Sequence, residues 1–170
     1  MPHSEPANKE WVLGKIKEIN PKTVLDVGAG DAIYADLIRA FVPNVKIDGV
    51  EIWTPYFDMF GLTQKYTRML NADIRILKEY DYDIVIFGDV LEHMPKEDAI
   101  EVWDRAAKQA RWGIITIPII HNPQEASYGN PYEVHIKDDW SVEEVLESFS
   151  HIVEYEKFPI TGAFIAKFDN

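Results

Sequence analysis

The chain has 170 residues, enough for about one domain of ordinary size, so a separate substrate-binding module is not expected. Apolar residues at 46% and charged residues at 27% sit near globular averages, which sets disordered and low-complexity classes aside. A net charge of -12 disfavours polyanionic partners and anionic lipid, and zero cysteines remove disulfide frameworks, thiolate metal sites and cysteine nucleophiles.

Residues 5–19 carry Trp11, Val12, Ile16 and Ile19 at helical spacing and close on Asn20-Pro21, a helix stop. The polar start (MPHSEPANKE) lacks the basic and apolar stretches of an export signal, and no apolar run approaches the roughly 18 residues of a membrane span. A cytoplasmic protein without a membrane partner is the expectation. Residues 23–28 (TVLDVG) are short and β-branched, Gly28-Ala29-Gly30 makes a turn, and residues 31–42 repeat Ile33, Leu37, Ile38 and Phe41 with helical period. Strands over 46–52 and 67–71 flank a short helix at 54–60. Residues 83–89 (DIVIFGD) form a continuous apolar run, as a parallel strand covered on both faces requires.

Pro95 opens a helix to about Arg111, and residues 113–119 (GIITIPI) make a fifth strand. Residues 120–139 have no period and hold Asn122-Pro123, Gly129 and Asn130-Pro131. A loop of that length after a parallel strand is predicted to be functional and to lie at the carboxyl edge of the sheet. Ser141 with Glu144 reads as a capping box for a helix through Phe149. Strands over 152–158 and 163–168 are joined too briefly for anything but antiparallel neighbours. The order predicts one α/β domain: a Rossmann-like, seven-stranded, mostly parallel sheet with one antiparallel strand near the C-terminus, helices on both faces and a helix in each crossover.

The chemistry clusters at predicted strand ends. The turn at Gly28 and Gly30 lets backbone N–H groups approach a ligand in front of a helix. Asp26 and Asp31 bracket it, which opposes a pyrophosphate and suits a cationic ligand. Glu51, ending the second strand, sits where a carboxylate accepts both hydroxyls of a ribose. Asn71-Ala72-Asp73 offers an amide and a carboxylate to an adenine amino group, or else a helix N-cap.

These pieces, VLDVGAGDA, the Glu51 of GVEI, the NAD at 71–73, YDIVIFGDVLEHMP at 82–95 and GIITIP at 113–118, resemble in this order the class I S-adenosylmethionine-dependent methyltransferases. The likeness is to the small group with a D-x-L-E-H segment after the fourth strand, and it runs over residues 24–168. It implies S-adenosyl-L-methionine as cofactor. Asp26, Gly28 and Gly30 would lie along its methionine part, with Asp31 and Ile52 completing the contacts. Glu51 would hold the ribose, Asp73 the adenine, and Gly88 and Asp89 would flank the sulfonium. Ala32 departs from the frequent G-x-G-x-G form.

The implied activity is methyl transfer to an oxygen or nitrogen acceptor. A small molecule is expected, because only the N-terminal helix and the 120–139 loop remain to build a pocket. His93, with a reference pKa near 6.5, is a candidate base or a loop-fixing group. Asp89 and His135 complete the catalytic candidates, with His121, Tyr128, Tyr132 and Trp140 beside His135. No metal set is assigned. The alternative is a divalent ion on Asp89, Glu92, His93 and His135, an arrangement similar to that of metal-dependent methyltransferases acting on the terminal 2′-hydroxyl of small RNAs. Eight acids in 133–156 against Lys137 alone make nucleic acid an unfavoured partner. A nicotinamide oxidoreductase is a weaker alternative, since Ile33 replaces its third glycine, and a non-catalytic cofactor-binding protein is another.

Overall fold

The computed structural model describes residues 8–170, so residues 5–7 of the expected first helix lie outside it. Its architecture follows from the period-two alternation of the buried strands. On β1 (Thr23–Val27), Val24 packs on one face of the sheet while Leu25 and Val27 pack on the other. β4 (Ile84–Gly88) repeats the pattern, with Ile84 and Ile86 on the first face and Val85 and Phe87 on the second. The first face is covered by α1 (Lys9–Ile19) and α2 (Ile33–Phe41), with two short helices, α3 (Pro55–Met59) and α4 (Leu62–Lys65). The second is covered by α5 (Lys96–Ala107) and α6 (Val142–Ser148).

The remaining strands are β2 (Lys46–Glu51), β3 (Arg68–Asn71), β5 (Trp112–Pro118), β6 (Ile152–Lys157) and β7 (Thr161–Lys167), and the seven-stranded order is β3-β2-β1-β4-β5-β7-β6. β1 to β5 pair in parallel, while β7 is antiparallel to both β5 and β6 and is therefore the reversed strand. The order changes direction between β1 and β4, which opens a crevice at their carboxyl ends.

The short helix expected at 54–60 forms as α3, and α4 follows it after Gly61, whose φ is 63°. Three other local expectations are corrected. No helix joins β3 to β4; a single 3₁₀ turn, Ile74–Ile76, is capped by Asp73 and closed by the Tyr80 hydroxyl donating to the Ile74 carbonyl at 3.2 Å. α5 stops at Ala107 because the Gln109 and Ala110 N–H groups both turn back to the Ala106 carbonyl. The cap on α6 forms by one half only: Ser141 Oγ accepts from Glu144 N–H at 3.1 Å, while the Glu144 carboxylate goes to Lys96 and Lys137.

The second face holds the largest aromatic packing. Trp103 of α5 is fully buried against Phe87, Phe149 and Phe168, with its indole N–H donating to the Ser150 carbonyl at 3.2 Å. Truncating such a side chain costs about 3–5 kcal/mol. Trp140 packs in this same core on Phe149, which corrects its expected place beside an acceptor pocket. Among the described residues no helix is long and apolar enough to cross a membrane.

Candidate active site

The crevice holds a cavity of about 330 Å³. Its left half is built by backbone. After β1 the chain turns through Gly28 and Gly30 at φ 67° and 49°. A Cβ on Gly28 would meet Val90 Cγ2 at 2.5 Å, so this glycine is required by both conformation and space. Gly28 and Ala29 N–H groups both donate to the Val50 carbonyl, locking the turn onto β2. The Glu51 carboxylate, buried at the end of β2, accepts from Gly30 N–H at 3.1 Å and Trp53 N–H at 2.8 Å. Burial pushes its carboxyl up and these N–H groups pull it back. Asp31 Oδ1 accepts from Ile33 N–H and starts α2, with Ala32 in the left-handed region at φ 68°.

Asp73 faces the cavity while Arg75 grips both of its carboxylate oxygens, and that pairing holds the carboxyl below the ordinary range. Gly28, Gly30, Asp31, Glu51, Ile52 and Asp73 thus share one wall, with Gly88 and Asp89 beside them. Two expected residues do not join it. Asp26 shares the first face of β1 with Val24 and lies behind the turn, where its Oδ2 accepts the Tyr66 hydroxyl at 2.6 Å. Burial raises its carboxyl to about 7. Asn71 spends its amide N–H groups on the Glu51 and Ile52 carbonyls rather than on the cavity.

The right half, beyond β4, is built by side chains. The donors run from Lys9 Nζ to the Tyr34 hydroxyl at 2.8 Å, on to Thr116 at 3.4 Å, and from Thr116 Oγ1 to Asp89 Oδ1 at 3.2 Å. Lys9 Nζ also lies 3.9 Å from Asp89 Oδ2. The Tyr34 ring occupies the space a Gly88 side chain would need, 2.3 Å from an added Cβ. A 3₁₀ turn, Leu91–His93, follows, and the main-chain carbonyl of Glu92 accepts from Ile136 and Lys137 N–H, which brings the end of the 120–139 loop against it.

His93 Nδ1 meets the Val134 carbonyl at 3.1 Å and His135 Nδ1 meets the Asn122 carbonyl at 2.5 Å. A carbonyl only accepts, so each Nδ1 carries the hydrogen and each Nε2 keeps its lone pair. The rings stand edge to face with centroids 4.9 Å apart. Burial lowers His93 to about 4, helped by the neighbouring His135, and burial also lowers His135. Glu92 is 1% exposed, and neither carboxylate oxygen hydrogen-bonds another described residue; burial raises its carboxyl well above the ordinary range. Glu92, His93 and His135 each offer one ligand atom, all within 4.8 Å of one another. Asp89, the fourth residue of the sequence-based alternative, stands outside this group on Thr116 and Lys9.

The 120–139 loop contributes Tyr132 and His135 to the cavity. His121 (70% exposed side chain, near Asp138) and Tyr128 (61% exposed) point elsewhere, correcting their expected place. The loop is anchored by Glu133, whose Oε1 accepts the Tyr56 hydroxyl at 3.0 Å and whose carbonyl accepts from Gln124 at 2.7 Å. Lys9, Tyr34, Thr116, Gln124 and Glu133 escaped sequence reasoning; the one signal was Lys9, a charge that falls on the apolar side of the first helix.

No family model matches the chain, and no curated protein matches it in sequence. Solved structures do. An S-adenosylmethionine-dependent methyltransferase from Clostridium acetobutylicum superposes with TM-score 0.70 at 12% identity, over 95% of this chain and 90% of its own. TehB from Haemophilus influenzae gives 0.71 at 13%, over 97% and 64%. Human N-acetylserotonin methyltransferase, solved with S-adenosylmethionine, gives 0.71 at 14%, over 96% and 52%. The chain therefore spans about half to nine-tenths of these neighbours, as it spans 55% of one from Nostoc punctiforme. Together with the strand order, they show the Rossmann-like fold of class I S-adenosylmethionine-dependent methyltransferases.

Proposed function

We propose that the chain is an S-adenosylmethionine-dependent methyltransferase acting on an oxygen or nitrogen of a small molecule. The observation that carries this reading is the convergence of Gly28, Gly30, Glu51 and Asp73 with Gly88 and Asp89 on one cavity. The residues fit the cofactor. Asp31, Glu51, Asp73 and Asp89 line the cavity, and Arg75 is engaged by Asp73. That wall repels a pyrophosphate and accepts a sulfonium nucleoside without phosphate.

When bound, the cofactor supplies an electrophilic methyl group that leaves a neutral thioether behind. The chain's own residues do the rest by binding and orientation. The Glu51 oxygens accept from the Gly30 and Trp53 N–H groups, and a carboxylate has about four acceptor positions, so it can take ribose hydroxyls without losing its anchors. Gly28 and Gly30 keep the turn free of side chains where the amino-acid end would pass. Asp89, His93 and His135 line the far end, where neutral imidazoles accept a hydrogen bond from an acceptor hydroxyl or amine and hold it in line. His93, at about 4, is a weak base at neutral pH and acts there by orientation more than by proton removal.

A small acceptor suits the space left by the 120–139 loop, which Glu133 ties down over the crevice. One of the neighbours is an N-acetylserotonin methyltransferase, a small-molecule enzyme by name. Titration calorimetry with S-adenosylmethionine and with its demethylated product tests the reading. One saturable site for each is expected; a folded sample giving heat with neither removes it.

A further inference from the structure

We propose that Glu92, His93 and His135 form a binding site for one divalent transition-metal ion, open toward the cavity. The argument begins with Glu92. A carboxylate at 1% exposure without a hydrogen bond to another described residue is costly to bury, and groups of this kind are paired or bound to metal in folded proteins. Lys9 favours the Glu92 charge through space but hydrogen-bonds the Tyr34 hydroxyl and lies 3.9 Å from Asp89 instead. The ligand donors that gather with Glu92 are two imidazoles.

Both imidazoles are prepared as ligands. Backbone carbonyls at Val134 and Asn122 hold each Nδ1–H, which fixes the tautomer and ring orientation and leaves Nε2 as an electron-pair donor. This is the outer support that metal-bound histidines use. The Glu92 main-chain carbonyl, by taking Ile136 and Lys137 N–H, brings His135 from the far end of a long loop to His93. One atom from each of the three residues lies within 4.8 Å of the others. Metal bonds of ~2.1 Å set ligands about 3.4 Å apart, so atoms now within 4.8 Å of one another need close by at most roughly 1.4 Å.

Two nitrogens and one carboxylate oxygen suit zinc, cobalt, iron or manganese better than magnesium or calcium, which prefer all-oxygen shells. Three protein ligands leave at least one coordination position, and the three residues line the cavity, so that position faces the acceptor space. The ion's role rests on the methyl-transfer reading, although ion binding itself does not. With the ion bound, the Nε2 lone pairs go to it rather than to the acceptor, and a hydroxyl oxygen of the acceptor takes the open position instead of hydrogen-bonding the imidazoles. Its O–H bond breaks, the proton passes to buffer, and the oxygen stays on the ion as an alkoxide or phenolate ready for alkylation. The preferred acceptor class is then a hydroxyl compound rather than an amine.

The test uses the full chain, stripped with chelator and titrated with Co²⁺ alone, read by its visible ligand-field absorption, and with Zn²⁺ alone, read by calorimetry. One ion per chain is expected. Glu92→Gln and His135→Ala should each weaken binding by about 100-fold or more, scaled from the 10- to 100-fold that losing an outer-shell support alone costs. Both variants should retain their affinity for S-adenosylhomocysteine, whose wall they leave intact, and that control also reports folding. No saturable binding by the folded wild type, or binding that both variants keep, overturns the site. Metal binding without any S-adenosylhomocysteine binding would instead overturn the methyl-transfer reading and leave the metal site standing.

Discussion

The two halves of the crevice differ in how their acids are satisfied. Glu51 and Asp73, on the left, are buried or half-buried carboxylates with every oxygen held, by Gly30 and Trp53 N–H groups in one case and by Arg75 in the other. Glu92, on the right, is buried more deeply and its oxygens are held by no other described residue, while Asp89 Oδ2 has a lysine at 3.9 Å and no hydrogen bond from a described residue. Both halves stand at carboxyl ends of parallel strands of one sheet, so topology does not explain the contrast. The left half is held by backbone N–H groups and Arg75, and the right half carries buried acid oxygens that no other described residue holds.

The contrast is broken most severely at Glu51. On the proposed reading Glu51→Ala would remove the charged acceptor for two ribose hydroxyls, each bond worth about 1.5–3 kcal/mol. Calorimetry should show S-adenosylmethionine affinity falling by two orders of magnitude or more.

Asp26 tests the support behind the left half. Its carboxyl is raised to about 7 from an ordinary 3.8, so its contribution to stability is complete below about 4 and is lost as pH rises through 7. Denaturant titrations from pH 4 to 8 should show the wild type losing stability relative to Asp26→Asn by as much as a few kcal/mol. Parallel curves would mean that the carboxyl is not raised.

A matched pair then reads the two halves with opposite sign. In metal-free protein, Glu92→Leu should raise unfolding stability by about 1–3 kcal/mol, because an unpaired buried acid is replaced by an apolar group. Glu51→Leu should lower it by a similar ~1–3 kcal/mol, because Gly30 and Trp53 N–H groups lose their acceptor. Equal signs in chemical denaturation would erase the distinction. The smallest change is expected at Ala32: Ala32→Gly relieves a left-handed alanine but gives up a fully buried methyl, and the two terms should leave stability within about 1 kcal/mol of wild type.

How much of this was legible in the sequence follows the range of each interaction. Continuous apolar runs such as DIVIFGD mark parallel strands directly, and the Gly28–Gly30 turn and Glu51 are read from spacing within one βαβ unit. The place of Asp26 is legible too, since strand alternation puts it on the face of Val24 and away from Val27. Other features carry no local signal. Lys9, Tyr34, Thr116 and Asp89 meet from four separate elements, and no periodicity encodes such a chain. In and beside the 120–139 loop, nothing in the pattern separates Tyr132 and His135, which line the cavity, from exposed His121 and Tyr128 or from core Trp140. Their fates are decided by Glu133 on Tyr56 and by the Glu92 carbonyl on Ile136 and Lys137. Those are contacts between distant segments, visible only once the sheet has placed them.

The most direct test of the central claim is a crystal structure with S-adenosylhomocysteine bound. The nucleoside should lie in the crevice with both ribose hydroxyls on the Glu51 carboxylate and the sulfur toward Asp89 and His93. A nucleoside elsewhere, or one in the crevice whose ribose makes no contact with Glu51, would contradict it.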